Sequence, residues 1–262
     1  MYYTNQLMTL DNFITLDDTA LSLEQSLCYL NDAGKLQPAL VEIAKQYLLE
    51  QEIQAAGIGN PLTEQIEQFM IEFRVQQQLT TPEAFQQWLS EHGLNYATFK
   101  HQIQTRMKQD ELKEHIVRDK VQEYFEQNKT NLDRIVFSRI VVETPEEAQH
   151  LYQQLQEPNV YFSQLAKQHS IVDDRKVGGA MTPMIRGQMP PEIRQATLSA
   201  EPGAILGPVQ IEGRYCLLKV EEILPARLEG ALKRDLQTHL FEEWIKDKLK
   251  AMKIQLNFQP KK

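Results

Sequence analysis

Cysteine is scarce in this chain: Cys28 and Cys216 are the two cysteines among 262 residues, and they lie far apart in the sequence. Two isolated cysteines exclude a disulfide framework and the paired-cysteine motifs of a structural zinc site. Long apolar runs are missing as well, since no stretch approaches the roughly 18 consecutive apolar residues of a membrane-spanning helix. We therefore expect no membrane span.

An excess of basic residues is also missing. The chain has 28 lysines and arginines against 36 aspartates and glutamates, which gives a net charge of −8. Because proteins that bind nucleic acids normally present a basic face, we expect no nucleic-acid partner. The first residues, 1–6, lack the basic and apolar regions of a secretory signal, and we therefore expect a cytoplasmic protein.

The common catalytic motifs are missing too. The sequence contains no GxSxG, HExxH, Walker A or GxGxxG motif. Its six histidines show no metal-ligand spacing. We expect neither a metal nor a cofactor.

The residues before about 130 are patterned as helices, with apolar positions at the 3.6-residue period. Ser22 and Gln25 form a capping box that starts the first helix. We expect the next helix over 39–56, after Pro38, and a third with Thr63 as a possible cap. Thr81 and Pro82 start a fourth, and a long fifth helix follows from about residue 96.

The pattern changes at residue 132. The segment 134–142 is rich in β-branched residues and predicts a buried strand. Helices over 145–156 and 162–169 and strands over 204–209 and 215–220 complete an α+β unit. An amphipathic helix over 229–252 follows, with a short strand over 254–258, and we expect this helix to pack on the N-terminal helices.

Four blocks between 132 and 222 resemble the parvulin, or rotamase, domain: 162–170, Gly178-Gly179, 186–193 and 202–209. With the flanking helices, the whole chain is similar to the periplasmic chaperone-isomerases of the SurA and PrsA type. This resemblance implies an α+β protein with a mostly helical chaperone-like lobe at 1–130. It implies a parvulin-like domain inserted at 131–223 and a helix at 224–262 that packs back on the lobe.

The resemblance also implies a set of site residues. The family's proline pocket falls on Met181, Met189 and Ile193, where Ile193 replaces a phenylalanine. The polar positions depart further, because the family's two histidines fall on Arg139 and Cys216.

One more position of the family's polar network lies in the loop after the block 162–170. Its cysteine or aspartate position falls on Val172, with Asp173 one residue beyond. A shift of the loop by one residue would place Asp173 opposite Arg139.

Two functions stay open at this stage. One is a parvulin-like prolyl isomerase and chaperone for unfolded or proline-containing polypeptide, with weak or lost isomerase activity because the histidines are replaced. The alternative is a non-catalytic holdase or an adaptor for an exported polypeptide or a secretion assembly. The expected partners are extended polypeptide clients and a secretion-system component, and apolar clefts between helices favour self-association.

Overall fold

The computed structural model describes residues 12–256. Contacts divide the chain into two compact units. The helical unit comprises the residues up to Arg118 together with those from Gln237 onward, and the sheet unit comprises Asp119–Leu236. The divisions therefore differ from the predicted boundaries at 130/131 and 223/224. The division into a lobe at 1–130, an inserted domain at 131–223 and a C-terminal helix at 224–262 stays a prediction.

The helical unit begins with a β-hairpin and continues with helices. Its elements are β1 (Ile14–Leu16), β2 (Thr19–Leu21), α1 (Leu23–Asp32), α2 (Leu36–Ala55), α3 (Thr63–Gln76), α4 (Pro82–Glu91), α5 (Tyr96–Val117) and the part of α10 (Gly230–Ala251) from Gln237 onward.

The helix starts follow the sequence signals closely. The predicted capping box at Ser22 is confirmed, as is the Thr81 cap of α4. Two starts differ from the prediction. Helix α2 begins at Leu36 with Pro38 in its first turn, where the missing N–H breaks no helical hydrogen bond. Thr63 is the first residue of α3 rather than its cap, and the Leu62 N–H donates to the Gln65 side chain.

Two apolar clusters hold the helical unit together. The first joins α3, α4 and α5 through Ile66, Met70, Phe85, Leu89, Phe99 and Ile103. The second joins α2, α5 and α10 through Leu48, Leu49, Ile53, Leu112, Val117, Phe241 and Ile245. Burial of these side chains gives the amphipathic α10 the partner surface that its sequence requires.

The sheet unit is built on a four-stranded antiparallel sheet with the strand order β4-β3-β6-β5. Its elements are α6 (Lys120–Leu132), β3 (Arg134–Val142), α7 (Pro145–Gln154), α8 (Phe162–His169), β4 (Met184–Ile185), α9 (Pro191–Ala196), β5 (Ile205–Ile211) and β6 (Arg214–Leu224). Strand β3 has the predicted bounds. The predicted α+β class is confirmed.

Each face of this sheet buries a separate apolar cluster, because successive side chains of a strand point to opposite faces. On one face, Ile140, Val142 and Leu217 pack against α7 and α8. The other face carries Ile135, Phe137, Val141, Cys216, Leu218 and Val220, which pack with Met189 and Ile193.

A buried ion pair explains why α6 belongs to the sheet unit. Arg186, 4% exposed, donates from Nη1 to the Thr130 carbonyl at 2.9 Å and to the Asp133 carboxylate at 3.1 Å. The other carboxylate oxygen of Asp133 accepts from the Ala226 N–H at 2.9 Å. One aspartate thus joins the end of α6, the loop after β4 and the chain beyond β6.

Residues 254–256 at the end of the described chain are irregular, which corrects the predicted strand over that part. Residues 257 and 258 of that prediction lie outside the described residues. Between residues 12 and 256, no helix combines the length and the apolar character needed to cross a bilayer.

Candidate functional site

The segment 170–181 follows the edge of β3 that is not paired with β6. The Val141 N–H donates to the buried Ser170 hydroxyl at 3.1 Å, and the Ile171 N–H donates to the Val141 carbonyl at 2.9 Å. Further along, the Arg139 N–H donates to the Gly179 carbonyl and the Met181 N–H to the Phe137 carbonyl. The loop is therefore held at both of its ends.

The glycine pair makes this close approach possible. Gly178 and Gly179 have φ values of +74° and +82°, a region that L side chains rarely adopt. A Cβ on Gly179 would overlap the Arg139 carbonyl oxygen. Position 179 must therefore be a glycine for the chain to fold back onto β3 at this point.

An ion pair spans the space between β3 and this loop. Arg139 donates from Nε to Oδ2 of Asp174 at 2.6 Å, and the two side chains are 35% and 17% exposed. The partner is Asp174, not Asp173 as the shifted loop would require. Asp173 is fully exposed and lies 3.6 Å from Lys176. The short 3-10 helix Asp173–Val177 turns the two aspartates in different directions.

Cys216 lies beside the ion pair on the neighbouring strand. It pairs in register with Val141, and Arg139 pairs with Leu218, so Arg139 and Cys216 are diagonal neighbours on one face. Burial raises the pKa of the Cys216 thiol from its ordinary value of 9.0 to about 11. The positive charge of Arg139 opposes this rise, and the negative charge of Asp174 adds to it. The thiol is therefore neutral at pH 7.

These side chains line a cleft of about 280 Å³ at the end of the β5–β6 hairpin. Its lining residues are Arg139, Val141, Val172, Ile211, Glu212, Arg214 and Cys216. Three of the four predicted polar positions, Arg139, Val172 and Cys216, thus share one cleft, and Asp173 does not.

The three predicted pocket residues come together beside the cleft but do not line it. Met189 and Ile193 are 4% and 7% exposed, and the half-buried Met181 packs against them in the cluster that also contains Cys216. In this structure they form core rather than an open pocket. Their role in holding proline stays a prediction.

Sequence reasoning missed Asp174, Glu212 and Arg214. Asp174 sits in a run of charged residues without periodicity, so its sequence carries no sign of which carboxylate turns inward. Glu212 and Arg214 flank the turn between β5 and β6, and a turn residue shows its cleft only once the hairpin is placed.

The match to known families falls on this same part of the chain. Residues 138–222 match the rotamase family, described as the PPIC-type PPIASE domain. This segment is a parvulin-type rotamase domain. The resemblance read from the four sequence blocks is confirmed.

Beyond the rotamase domain, the chain is similar to PrsA proteins. It is 26% identical over 191 residues to the foldase protein PrsA of Caldanaerobacter subterraneus subsp. tengcongensis, covering 68% of this chain and 62% of that protein. The chain thus spans less than two thirds of that relative's length. A crystal structure of the peptidylprolyl isomerase PrsA from Bacillus cereus superposes with a TM-score of 0.54 at 17% identity, covering 96% of this chain and 95% of that one.

The glycine geometry gives a testable prediction about the rotamase domain. Gly179→Ala should lower the free energy of unfolding by roughly 3 kcal/mol, because the new Cβ meets a backbone carbonyl as well as an unfavourable φ. The matched control is Gly213→Ala, which has a φ of +81° but open space around it and should cost about 1 kcal/mol. Urea denaturation followed by circular dichroism suits this test, since Trp88 and Trp244 both lie in the helical unit. Equal losses in the two variants would contradict the close approach.

The buried thiol gives a second prediction. In a Cys28→Ser variant, alkylation of Cys216 by iodoacetamide should be slow at pH 7 and should rise without a plateau up to about pH 9.5, because only the thiolate reacts. The urea-unfolded variant, as the control, should reach about half of its maximal rate near pH 9 and level off above about pH 10. The free energy of unfolding should also fall between about pH 9 and pH 11, since the unfolded thiol releases its proton first. A plateau below pH 9 in the folded protein would refute the burial argument.

Proposed function

We propose that this protein is a parvulin-type foldase whose rotamase domain holds extended, proline-containing polypeptide and isomerises it weakly. The observation that carries the proposal is the cleft of the rotamase domain, in which Arg139, paired with Asp174, and the neutral thiol of Cys216 stand at the two positions where the parvulin resemblance expects histidines. The rotamase domain itself supports the peptidyl-prolyl class of client.

Prolyl isomerisation makes and breaks no covalent bond. Its barrier, roughly 18–20 kcal/mol, is the loss of amide resonance in the twisted peptide bond. A catalyst must therefore bind the twisted amide more tightly than either planar form. Polar groups placed in advance around the carbonyl, in a site without bulk water, would achieve this.

The polar groups of this cleft are poorly suited to that task. Arg139 is a cation that can only donate hydrogen bonds, and its Nε is already bonded to Asp174. Cys216 offers a weak S–H donor, and its thiol bonds at 3.7 Å to the carbonyl of Leu217. Neither side chain can change its protonation or bonding as a histidine does. We infer that these groups bind the twisted amide only slightly more tightly than the planar forms.

The same cleft is suited to binding. Val141, Val172 and Ile211 provide apolar surface, and a volume of about 280 Å³ matches a residue or two of extended chain. Arg139 adds a polar group to this surface.

The helical unit supports the alternative of a non-catalytic holdase. Its helices expose large apolar side chains, namely Tyr29, Leu30, Val41, Ile43, Tyr47, Leu62, Ile71, Val75 and Tyr96. These exposed side chains are accessible to an unfolded chain. An adaptor role with a secretion-system partner belongs to the same alternative and rests on the PrsA-like and SurA-like plan, whereas self-association rests on the apolar clefts between helices.

The cytoplasmic location also stays a proposal. The free cysteines Cys28 and Cys216 suit a reducing compartment. Fractionation of the cells that produce the protein would test it.

A protease-coupled assay on a proline tetrapeptide tests the function. The wild-type rate should lie close to the uncatalysed rate, while a fluorescent proline-containing peptide still binds. Val172→Asp should weaken this binding about tenfold, because it places a carboxylate on an apolar wall near Asp174. The adjacent, exposed Ile171→Asp is the matched control and should leave binding unchanged. An efficient rate that Met189→Ala or the less buried Met181→Ala abolishes would contradict the proposal.

An aggregation assay with the same protein samples distinguishes the holdase from the adaptor. Added in equal amounts to a denatured client, the wild-type protein should suppress aggregation, and so should the Val172→Asp variant if the helical unit does the holding. Aggregation that proceeds unchanged in the presence of the wild-type protein would leave the adaptor as the remaining alternative.

A further inference from the structure

The helical unit contains a groove of about 550 Å³ between α2 and α10. Val41 of α2, Ile245 and Leu249 of α10 and the following Ile254 form its apolar surface. Ile245 also belongs to the core, whereas Val41 and Ile254 are 52% and 50% exposed. The groove is thus continuous with the core below it and open to solvent above.

The rim of this groove is positively charged. Lys45 from α2 and Lys246 and Lys250 from α10 line it, against the single carboxylate of Glu242. The whole chain carries a net charge of −8, so this surface has the opposite sign to the molecule.

The rim lysines remain available to a ligand. Among residues 12–256, the ion pair of Lys45 is a distant one, 4.0 Å from Glu42, and Lys250 lies 3.4 Å from Asp247. Both are exposed pairs three residues apart on one helix, a type that contributes little free energy and is easily exchanged.

We propose that this groove is a second polypeptide-binding site, which takes a short apolar segment flanked by aspartates or glutamates. The apolar floor receives the side chains of the segment, and the rim lysines pair with its carboxylates. The positively charged lysines of the rim attract and orient a segment that carries carboxylates at its ends. The site lies within the helical unit and needs no residue of the rotamase cleft.

Charge and shape favour this occupant over the other candidates. A membrane surface is flat, whereas the groove is concave, and an acidic protein is repelled by anionic lipid. The chain's own last residues, 257–262, contain two lysines and no acidic side chain, so the rim would repel them. A second copy of this chain is also acidic, but the described residues identify no particular carboxylate of that copy as the partner of the rim lysines.

The inference rests on the proposed role of the helical unit in client binding, and its test must be separable from the rotamase cleft. The probe is therefore a dye-labelled synthetic peptide without proline, with leucines at its centre and aspartates at both ends. Binding to the full chain is measured by fluorescence anisotropy. The Val172→Asp variant should bind this peptide as the wild type does.

The expected result is binding that weakens as salt is added and that falls about tenfold in Lys246→Glu/Lys250→Glu, because two attractions become repulsions. Val41→Asp, at an exposed position, should weaken it as well. The matched control Lys120→Glu/Lys233→Glu reverses two exposed lysines near helix starts outside the groove and should bind normally. Circular dichroism checks that each variant keeps its helix content.

Four outcomes would overturn the inference. The first is equal binding of a matched peptide with lysines in place of the aspartates, and the second is equal binding by the groove and control variants. The third is competition by phosphatidylglycerol vesicles, which would assign the groove to a membrane. The fourth is tighter peptide binding after deletion of 257–262, or a dimer that the groove variant dissociates, which would assign the groove to the chain itself.

Discussion

The ion pair between Arg139 and Asp174 is the interaction on which the proposed site depends. It places a permanent positive charge beside the neutral thiol of Cys216, at the positions where the parvulin resemblance expects histidines. The pair can form because the glycines 178 and 179 let the loop 170–181 fold onto the edge of β3. The loop conformation, the charge of the cleft and the weak catalysis that we infer from it therefore have one origin.

In the proposed function, the two units contribute different surfaces to polypeptide binding. The cleft of the rotamase domain is small and partly polar, and the loop beside it is held to β3 by hydrogen bonds. The groove between α2 and α10 is larger and apolar with a cationic rim. Because both lie on one chain, a client that engages both gains affinity through effective concentration without new contacts. Such a protein can bind an extended polypeptide tightly without accelerating prolyl isomerisation in that polypeptide.

Much of the fold could be predicted from local signals, and the site could be predicted only in outline. The capping box at Ser22 and the β-branched run of β3 are local in sequence, and both match the structure. Asp174 was missed because the direction of its side chain depends on the short 3-10 helix Asp173–Val177, which a run of charged residues does not predict. The closed packing of Met189 and Ile193 depends on contacts far apart in sequence, which a pocket motif does not reveal.

Exchange spectroscopy by NMR tests the central claim most directly. A peptide with one isotope-labelled proline, mixed with a catalytic amount of the full chain, reports binding and cis–trans exchange in the same sample. The account predicts shifts of the peptide signals that show binding, with an exchange rate close to that of the free peptide. Fast exchange at the proline, together with the same binding shifts, would contradict it and would show that this cleft catalyses isomerisation without the two histidines.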